Sequence, residues 1–511
     1  MYFFIDPTVV QNNSGVEHAA FNRLKLFKNH GQEAKLVTRN YNRFLYKFLK
    51  DEGVPADQSV SMFDFFQHTI GYERKPFRTD DLTIDNAYEL DRQSKYTKVY
   101  DNDRLVMKID YIPGTFEEIN TITYLDRFGN AVETDFYDWR GFKSMQQYYD
   151  VNGITVKEQM LTPTGDVVYE SYYAKDASGK QRNSLLKLVN YQGEDYYFNS
   201  LLELFTFFLD ELNNSYGGNN TFMSDRRVND ADTGLLSMKT KCRKVAVIHS
   251  TVSLDDDNQV DGKLNPAYAN ILENHSQQLD AIIVSTQHQR NDLSLRYPNL
   301  DSKLYQVPVG MVDVDQLKTP KKLSEKPNRI IAVSRISDEK RPQDIVRALS
   351  LVIKKVPDAT LEFRGYVSGD TGRKILKLLD ELKLKDKVIQ RPYTTDKKRL
   401  NGTYDGGKVA VLASTSEGFG QTILEGEAHG IPQVAYDINY GPNEMIDPGK
   451  NGYLVRSGDI SGLADKIVAV LTDPNIDQMA EAAVNKAKTF STESIWQKWQ
   501  AALGENVPKQ V

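Results

Sequence analysis

Short apolar runs alternate with amphipathic stretches along most of the chain. The run Met1-Tyr-Phe-Phe-Ile5 is followed by a polar segment from Pro7 to Gly15. Helical spacing then runs from Val16 toward Gly31, and a second short run follows at Ala34-Lys-Leu-Val-Thr38. This strand, loop, helix, strand order predicts a doubly wound parallel sheet. The rhythm breaks from about Tyr96 to Phe198, where polar and apolar residues alternate and 13 of the 28 tyrosines lie. Turn signals recur there at Gly129-Asn130, Asn152-Gly153, Gly165-Asp166, Ser178-Gly179 and Gln192-Gly193. Period two punctuated by such turns predicts an antiparallel β-meander, inserted over residues 73–200. Its aromatics read as a sheet face, which also offers a surface for pairing with another subunit.

The α/β rhythm returns over 201–316, with a helix at Leu202–Leu212 and buried strands at Lys244–His249 and Ala281–Ser285. The basic, Pro-punctuated stretch 317–327 reads as a linker. A second α/β domain is predicted over 328–490. Its strands fall at Arg329–Val333, Ala359–Phe363, Val388–Gln390, Val409–Ala413, Gln433–Tyr436 and around Tyr453–Val455, and its helices include Gln343–Lys355 and Gly372–Leu382. A final amphipathic segment, Thr492–Leu503 within 491–511, is expected to pack back on the N-terminal Rossmann-like domain, which residues 1–72 begin. No low-complexity tract and no repeat of 20–50 residues stands out.

At 511 residues the chain is long enough for two to three domains. Charged residues are 26% and hydrophobic ones 40%, ordinary for a globular enzyme, and no apolar run is long enough to cross a bilayer. Met1–Asp6 lacks the features of a signal peptide, so a cytoplasmic location is expected, with at most peripheral membrane association. The one cysteine, Cys242, excludes an internal disulfide framework. A net charge of −6 argues against nucleic acid as a partner while leaving room for a local basic groove.

The chemistry concentrates in the second α/β domain. Glu417 and Glu425 lie in Ser414-Thr-Ser-Glu-Gly-Phe-Gly-Gln-Thr-Ile-Leu-Glu425, between the run Lys408–Ala413 and a helix predicted over Thr422–His429 that stops at Gly430. A loop carrying one carboxylate, then a helix start whose N–H groups favour anions, suits a nucleotide-sugar. A surface loop followed by a dipole-favouring acid is the plainer alternative. Upstream, strand Arg329–Val333 delivers Arg335 at its end and Lys340 five residues later. A guanidinium fork and an ammonium point charge make a natural diphosphate clamp. In the N-terminal loop Asn12-Asn-Ser14-Gly15, a helix N-cap and a close approach to phosphate are both open, and no dinucleotide fingerprint or P-loop is present. His249 closes an apolar strand, either as a satisfied histidine or as a group near reacting atoms. Asp255-Asp-Asp257 reads as a solvated acidic loop, since no strand immediately precedes it, and no histidines have metal-ligand spacing. No metal and no other cofactor is expected.

Together these residues resemble the retaining, GT-B fold glycosyltransferases of family four. The resemblance implies an α/β fold of two Rossmann-like domains with the β-meander inserted in the first. It implies that Glu417 contacts the donor sugar and Glu425 the ribose, with Arg335 and Lys340 on the diphosphate. Gly418, Phe419 and Gly420 would line the donor, Tyr393 and Thr394 would lie at the uracil, and Ser14 and Gly15 near the donor phosphates. Arg335, Lys340, Glu417 and His249 are the implied catalytic set. The tyrosine-rich meander, Val247-Ile-His249 and Asp437-Ile-Asn-Tyr-Gly441 are similar to one subgroup. It contains the wall-teichoic-acid α-glycosyltransferases and the subunit that starts O-glycosylation of serine-rich adhesins. That implies a UDP-sugar carrying glucose or N-acetylglucosamine, and an acceptor that is either a polyol-phosphate polymer or a Ser/Thr-rich protein. The opening Met1–Asp6 departs from the adhesin type and favours the polymer. Self-association through the meander, or pairing with a paralogous subunit, is implied as well. A non-catalytic partner subunit, a carbohydrate-binding surface protein and a sugar-nucleotide epimerase are the rival functions.

Overall fold

The computed structural model describes residues 1–11, 13–226, 231–317 and 322–504. They fall into two compact units, one within residues 1–11 and 33–243, the other within residues 12–32 and 244–511.

In the first unit Tyr2–Asp6 pairs in parallel with Thr221–Ser224 on one side and Ala34–Thr38 on the other, and Ala34–Thr38 pairs with Ser59–Ser61. Tyr2–Asp6 is buried throughout, as an apolar run covered on both faces must be. Helix Leu201–Ser215 is capped by Ser200, whose hydroxyl accepts from the Glu203 N–H. Phe205, Phe208, Leu209 and Leu212 of this helix share a core with Phe3, Ile5, Phe63 and Phe222.

The predicted meander is a ten-stranded antiparallel sheet that runs in strict sequence order from Glu89–Arg92 to Glu194–Phe198. Its inner face supplies Met145, Met160, Tyr169, Leu186 and Leu188 to the same core. All five turn signals fall between strands, and Gly129, Gly153, Gly165, Gly179 and Gly193 each hold positive φ. Turns at 101–104, 112–118 and 138–142 carried none of those signals. One is built on Asn102 at φ 51°, another on Asp138 and Gly141. Tyr124, Tyr148 and Tyr172, spaced by 24 residues, stand at one level of the sheet, separated by Glu133 and Lys157 on the strands between. Bulges shift the register of almost every hairpin.

A cluster of charge is sealed inside this unit. The Arg140 guanidinium, 2% exposed, donates to Asp138 at 2.8 Å, to Asp64 at 2.5 Å and to the Thr69 carbonyl at 3.0 Å. Its cationic carbon lies 4.0 Å from the centre of the Tyr46 ring. It ties the hairpin turn 138–142 to the helix Met62–Phe66 and the turn after it.

In the second unit, Arg243–Ile248 (from Lys244 on), Ala281–Val284 and Leu304–Gln306 run parallel. A separate six-stranded parallel sheet has the order 388–391, 360–364, 329–333, 409–412, 433–437, 452–456. All six of these strands fall where the sequence predicts them. Helices Pro342–Val352, Thr371–Glu381 and Ile460–Leu471 cover the sheet with Ile345, Leu349, Ile375, Leu463 and Ile467. Of the stretch read as a linker, 318–321 lies outside the described residues. Beyond it Leu323 is buried in that core, and Ser324 bonds Asp477. Helix Thr492–Leu503 packs on helix Gly15–Asn29, with Trp496 and Trp499 edge-on to Phe27. Among the described residues no helix is long and apolar enough to cross a membrane.

Candidate functional site

In the six-stranded sheet the chain starts at Arg329–Val333, works outward to 388–391, then returns to place 409–412 on the other flank of the first strand. The strand order therefore reverses between 329–333 and 409–412. In an open parallel sheet such a reversal opens a crevice at the carboxyl ends of the two strands. The loop after the first strand carries Arg335 and Lys340, and the loop after the fourth carries Ser414 to Gly420.

The structure brings Lys340 and Glu417 together. Lys340 ends a single 3-10 turn, Asp338–Lys340, and its Nζ lies 2.6 Å from Oε1 of Glu417. The same oxygen accepts from the Ser414 hydroxyl at 2.7 Å. Both members of the pair keep some solvent access, with side chains 18% and 15% exposed. Arg335 lies on the same loop and its guanidinium meets Glu339 at 2.5 Å. That pair is roughly half exposed.

Backbone contacts hold these loops in register. The Thr415 N–H donates to the Glu339 carbonyl at 2.9 Å, and the Glu417 N–H to the Asn439 carbonyl at 2.8 Å. Gly418 is required by crowding, since a Cβ there would lie 1.9 Å from the carbonyl oxygen of His249. Gly420, at φ 83°, turns the chain into helix Gln421–Ala428 in a conformation that favours glycine. Between them Phe419 is 2% exposed and packs with Ile423, Leu424, Met445 and Phe490, so its ring belongs to the core and only its backbone borders the crevice.

Glu425 stands one turn along that helix. One of its oxygens, Oε2, accepts from the Tyr404 hydroxyl at 2.5 Å. Burial pushes its carboxyl above the ordinary range, and the Tyr404 hydrogen bond pulls partly back. Burial, then the charge of Glu425, raises the Tyr404 phenol well above its usual value, so it remains a proton donor.

Five further positions named from the sequence lie on other elements. Ser14 is an N-cap: its hydroxyl accepts from the Val16 N–H at 3.3 Å and donates to Glu17 at 2.6 Å, and its backbone N–H donates to the same Glu17 carboxylate at 2.7 Å, which completes a capping box. Its side chain is thus committed to the helix. Asn12 lies outside the described residues. The Gly15 carbonyl accepts from Gln421 Nε2 at 3.1 Å, and His18, one turn on, meets the Tyr393 hydroxyl at 3.0 Å. The start of this helix therefore joins the loops after 388–391 and 409–412. Thr394 accepts from the Asp396 N–H at 3.1 Å, a turn that leads into helix Lys397–Gly406. His249 is half-buried and follows its strand directly.

The acidic loop is only partly solvated. Asp255 and Asp257 are exposed, but the Asp256 carbonyl accepts from Asn439 Nδ2 at 2.9 Å. Among the described residues no three His, Cys, Asp or Glu side chains converge as a metal site needs.

Sequence reasoning missed Tyr404, His18, Asn439 and Gln421. For Tyr404 a signal existed, because it is the only aromatic residue of helix Lys397–Gly406. His18 and Gln421 had none, since their partners are distant in the chain.

Residues 313–490 match the family model described as glycosyl transferases group 1. The chain is 23% identical over 520 residues to the UDP-N-acetylglucosamine–peptide N-acetylglucosaminyltransferase GtfA subunit of Streptococcus parasanguinis, covering 96% of this chain and 97% of that one. It is 24% identical over 517 residues to the poly(ribitol-phosphate) alpha-N-acetylglucosaminyltransferase of Staphylococcus aureus strain COL, covering 96% of each. Among solved structures, the pneumococcal O-GlcNAc transferase GtfA in complex with UDP and GlcNAc aligns with a TM-score of 0.81 at 20% identity, covering 98% of both chains. A GtfA/B complex aligns with a TM-score of 0.82 at 21% identity, covering 99% of both. At these identities the structural likeness establishes the fold, which is GT-B.

Proposed function

We propose that this chain, which carries a group 1 glycosyltransferase domain on a GT-B fold, is a retaining transferase. It moves glucose or N-acetylglucosamine from a UDP-sugar to a bacterial cell-surface acceptor, a poly(polyol-phosphate) teichoic acid. The observation that carries this reading is the Lys340–Glu417 contact at the point where the strand order reverses, beside glycine-lined backbone and a helix start. Lys340 has hydrogens beyond the one given to Glu417, and the Arg335 fork has donors beyond the one given to Glu339. Both can turn to a diphosphate. Glu417 takes sugar hydroxyls, Glu425 takes ribose hydroxyls, and the backbone of Gly418 to Gly420 approaches the donor closely. Tyr393, Thr394 and Gly15 border the nucleotide, and His249 stands near the sugar through its contact with Gly418.

In the proposed step the bond from C1 of the sugar to the β-phosphate oxygen breaks as the acceptor oxygen bonds to C1 on the same face. The acceptor proton passes to the departing phosphate. UDP leaves with its charge held by Arg335 and Lys340, so no metal is assigned a role. Fixed cations aimed at developing charge are the strongest single device for such a transfer.

A second reading has its own support. The chain is as similar to the peptide N-acetylglucosaminyltransferase as to the polymer enzyme, which keeps Ser/Thr hydroxyls of a surface protein as the alternative acceptor. A GtfA/B complex among the similar structures supports a paralogous partner subunit. The aromatic repeat on the sheet supports homo-oligomers, and a cytoplasmic location fits a UDP-sugar donor. UDP release by the purified chain is the deciding experiment, run with two donors (UDP-glucose and UDP-N-acetylglucosamine) against two acceptors (polyol-phosphate polymer and Ser/Thr-rich peptide). Turnover with polymer alone supports the first reading and turnover with peptide alone the second. Release without either acceptor points to an epimerase-like or hydrolytic activity. No release in any combination supports a non-catalytic partner.

A further inference from the structure

Helix Lys397–Gly406 places three consecutive side chains against titratable partners. Thr403 donates to Glu362 at 2.8 Å, Tyr404 to Glu425 at 2.5 Å, and Asp405 meets His429 at 2.9 Å. The His429 ring also stacks on Tyr404, with centroids 5.1 Å apart and planes 19° from parallel. Tyr404 is 2% exposed and its ring packs in a small core with Ile331, Ala410 and Ile431. Glu425 differs, because only its Oε2 is taken. Its Oε1 accepts no hydrogen bond from any described residue, yet it is not among their buried, unpartnered polar atoms.

A carboxylate that reads a vicinal diol must present its oxygens at a fixed angle, and a free glutamate on a helix samples several rotamers. We infer that Tyr404 is a positioning residue for nucleotide recognition: braced by His429, its hydroxyl locks one oxygen of Glu425 and leaves the other for the ribose hydroxyls of a nucleoside diphosphate. The inference rests on the reading of Glu425 as the ribose ligand. Once buried, the Tyr404 hydroxyl needs an acceptor, and the one it finds is a carboxylate rather than a backbone carbonyl.

The test pairs an enzyme hydroxyl with a ligand hydroxyl. UDP and 2′,3′-dideoxy-UDP are titrated calorimetrically into the wild type, Tyr404→Phe and Glu425→Ala. Glu425→Ala checks the underlying reading, and it should erase the preference for UDP over the dideoxy compound. If that preference survives, the ribose reading falls and this inference with it. Tyr404→Phe should weaken UDP by about 5- to 10-fold, as expected for a misplaced charge-assisted hydrogen bond, and the dideoxy compound by less than about two-fold. In turnover the KM for the sugar donor should rise by the same factor, with kcat nearly unchanged. Equal weakening of both ligands, or of neither, while Glu425→Ala still erases the preference, overturns the role of Tyr404 alone. Should Tyr404→Phe not fold, His429→Leu removes the stacked ring and leaves both partners in place. It should give the same selective loss at about two- to three-fold, and identical affinities to wild type would sink the proposal.

Discussion

Arg140 and Lys340 each meet carboxylate oxygens at close range, yet their surroundings differ in one decisive way. Arg140 is sealed: three acceptors and an aromatic face occupy its guanidinium, and the side chains of Asp64 and Asp138 are 8% and 7% exposed. Nothing there can exchange partners without opening the core. Lys340 and Glu417 form one contact, keep access to solvent, and sit on loops at the carboxyl ends of strands. The first arrangement fastens a hairpin to the domain beneath it. The second holds two charges in place while leaving capacity for a third body. The number of unused bonding positions, more than the distance, separates a structural ion cluster from a candidate binding site.

The largest expected effect breaks the sealed cluster. Arg140→Met removes the counter-charge from two buried carboxylates and should cost about 3–5 kcal/mol, read from urea unfolding. A loss below about 1 kcal/mol would mean that water enters the site. Next in size, Lys340→Ala and Glu417→Ala should each cut turnover on the order of 100-fold while the melting temperature stays within a few degrees. If either variant loses stability as Arg140→Met does, the contrast between the clusters disappears.

A smaller effect concerns pH. Burial raises the Glu425 carboxyl above the ordinary range, with Tyr404 partly opposing. Glu425 therefore accepts a proton at a higher pH than an ordinary glutamate does, and in the proposed role it would then stop accepting ribose hydroxyls. The donor KM should begin to rise as pH falls toward that raised value, and Glu425→Gln should flatten the limb. A rise confined below about pH 4 would contradict it. The smallest effect lies in the hairpin turns. Backbone N–H groups, chiefly that of Asn130 at Asp126 and that of Ile154 at Asp150, hold those exposed carboxyls below their usual range. A carboxyl depressed on folding contributes stability above its unfolded value near 4, and the contribution is lost as pH falls through the folded value. Asp150→Asn should lower the melting temperature slightly at pH 7 and hardly at all near pH 2.

Much of this was legible in the residues. Buried parallel strands announce themselves as short apolar runs, so the six-stranded sheet and the placement of Arg335, Lys340 and Glu417 on its loops followed from local pattern. The meander was legible because glycine and asparagine mark tight turns. Local pattern was silent where a residue answers to a distant partner. Ser14 looked equally fit for phosphate or for a cap until Glu17 was seen to close the box. Phe419, read as part of the site, turned its ring into the core against Phe490. Tyr404 gained its meaning only from Glu425, on another helix.

The chain by itself determined its elements, its two kinds of sheet and the stretch where charge gathers, because periodicity and turn chemistry act over a few residues. Tertiary structure alone decided which charges were used up and which kept a free side. That depends on packing between segments hundreds of positions apart, as with His18 and Tyr393, and burial of a polar group is settled by whatever happens to cover it.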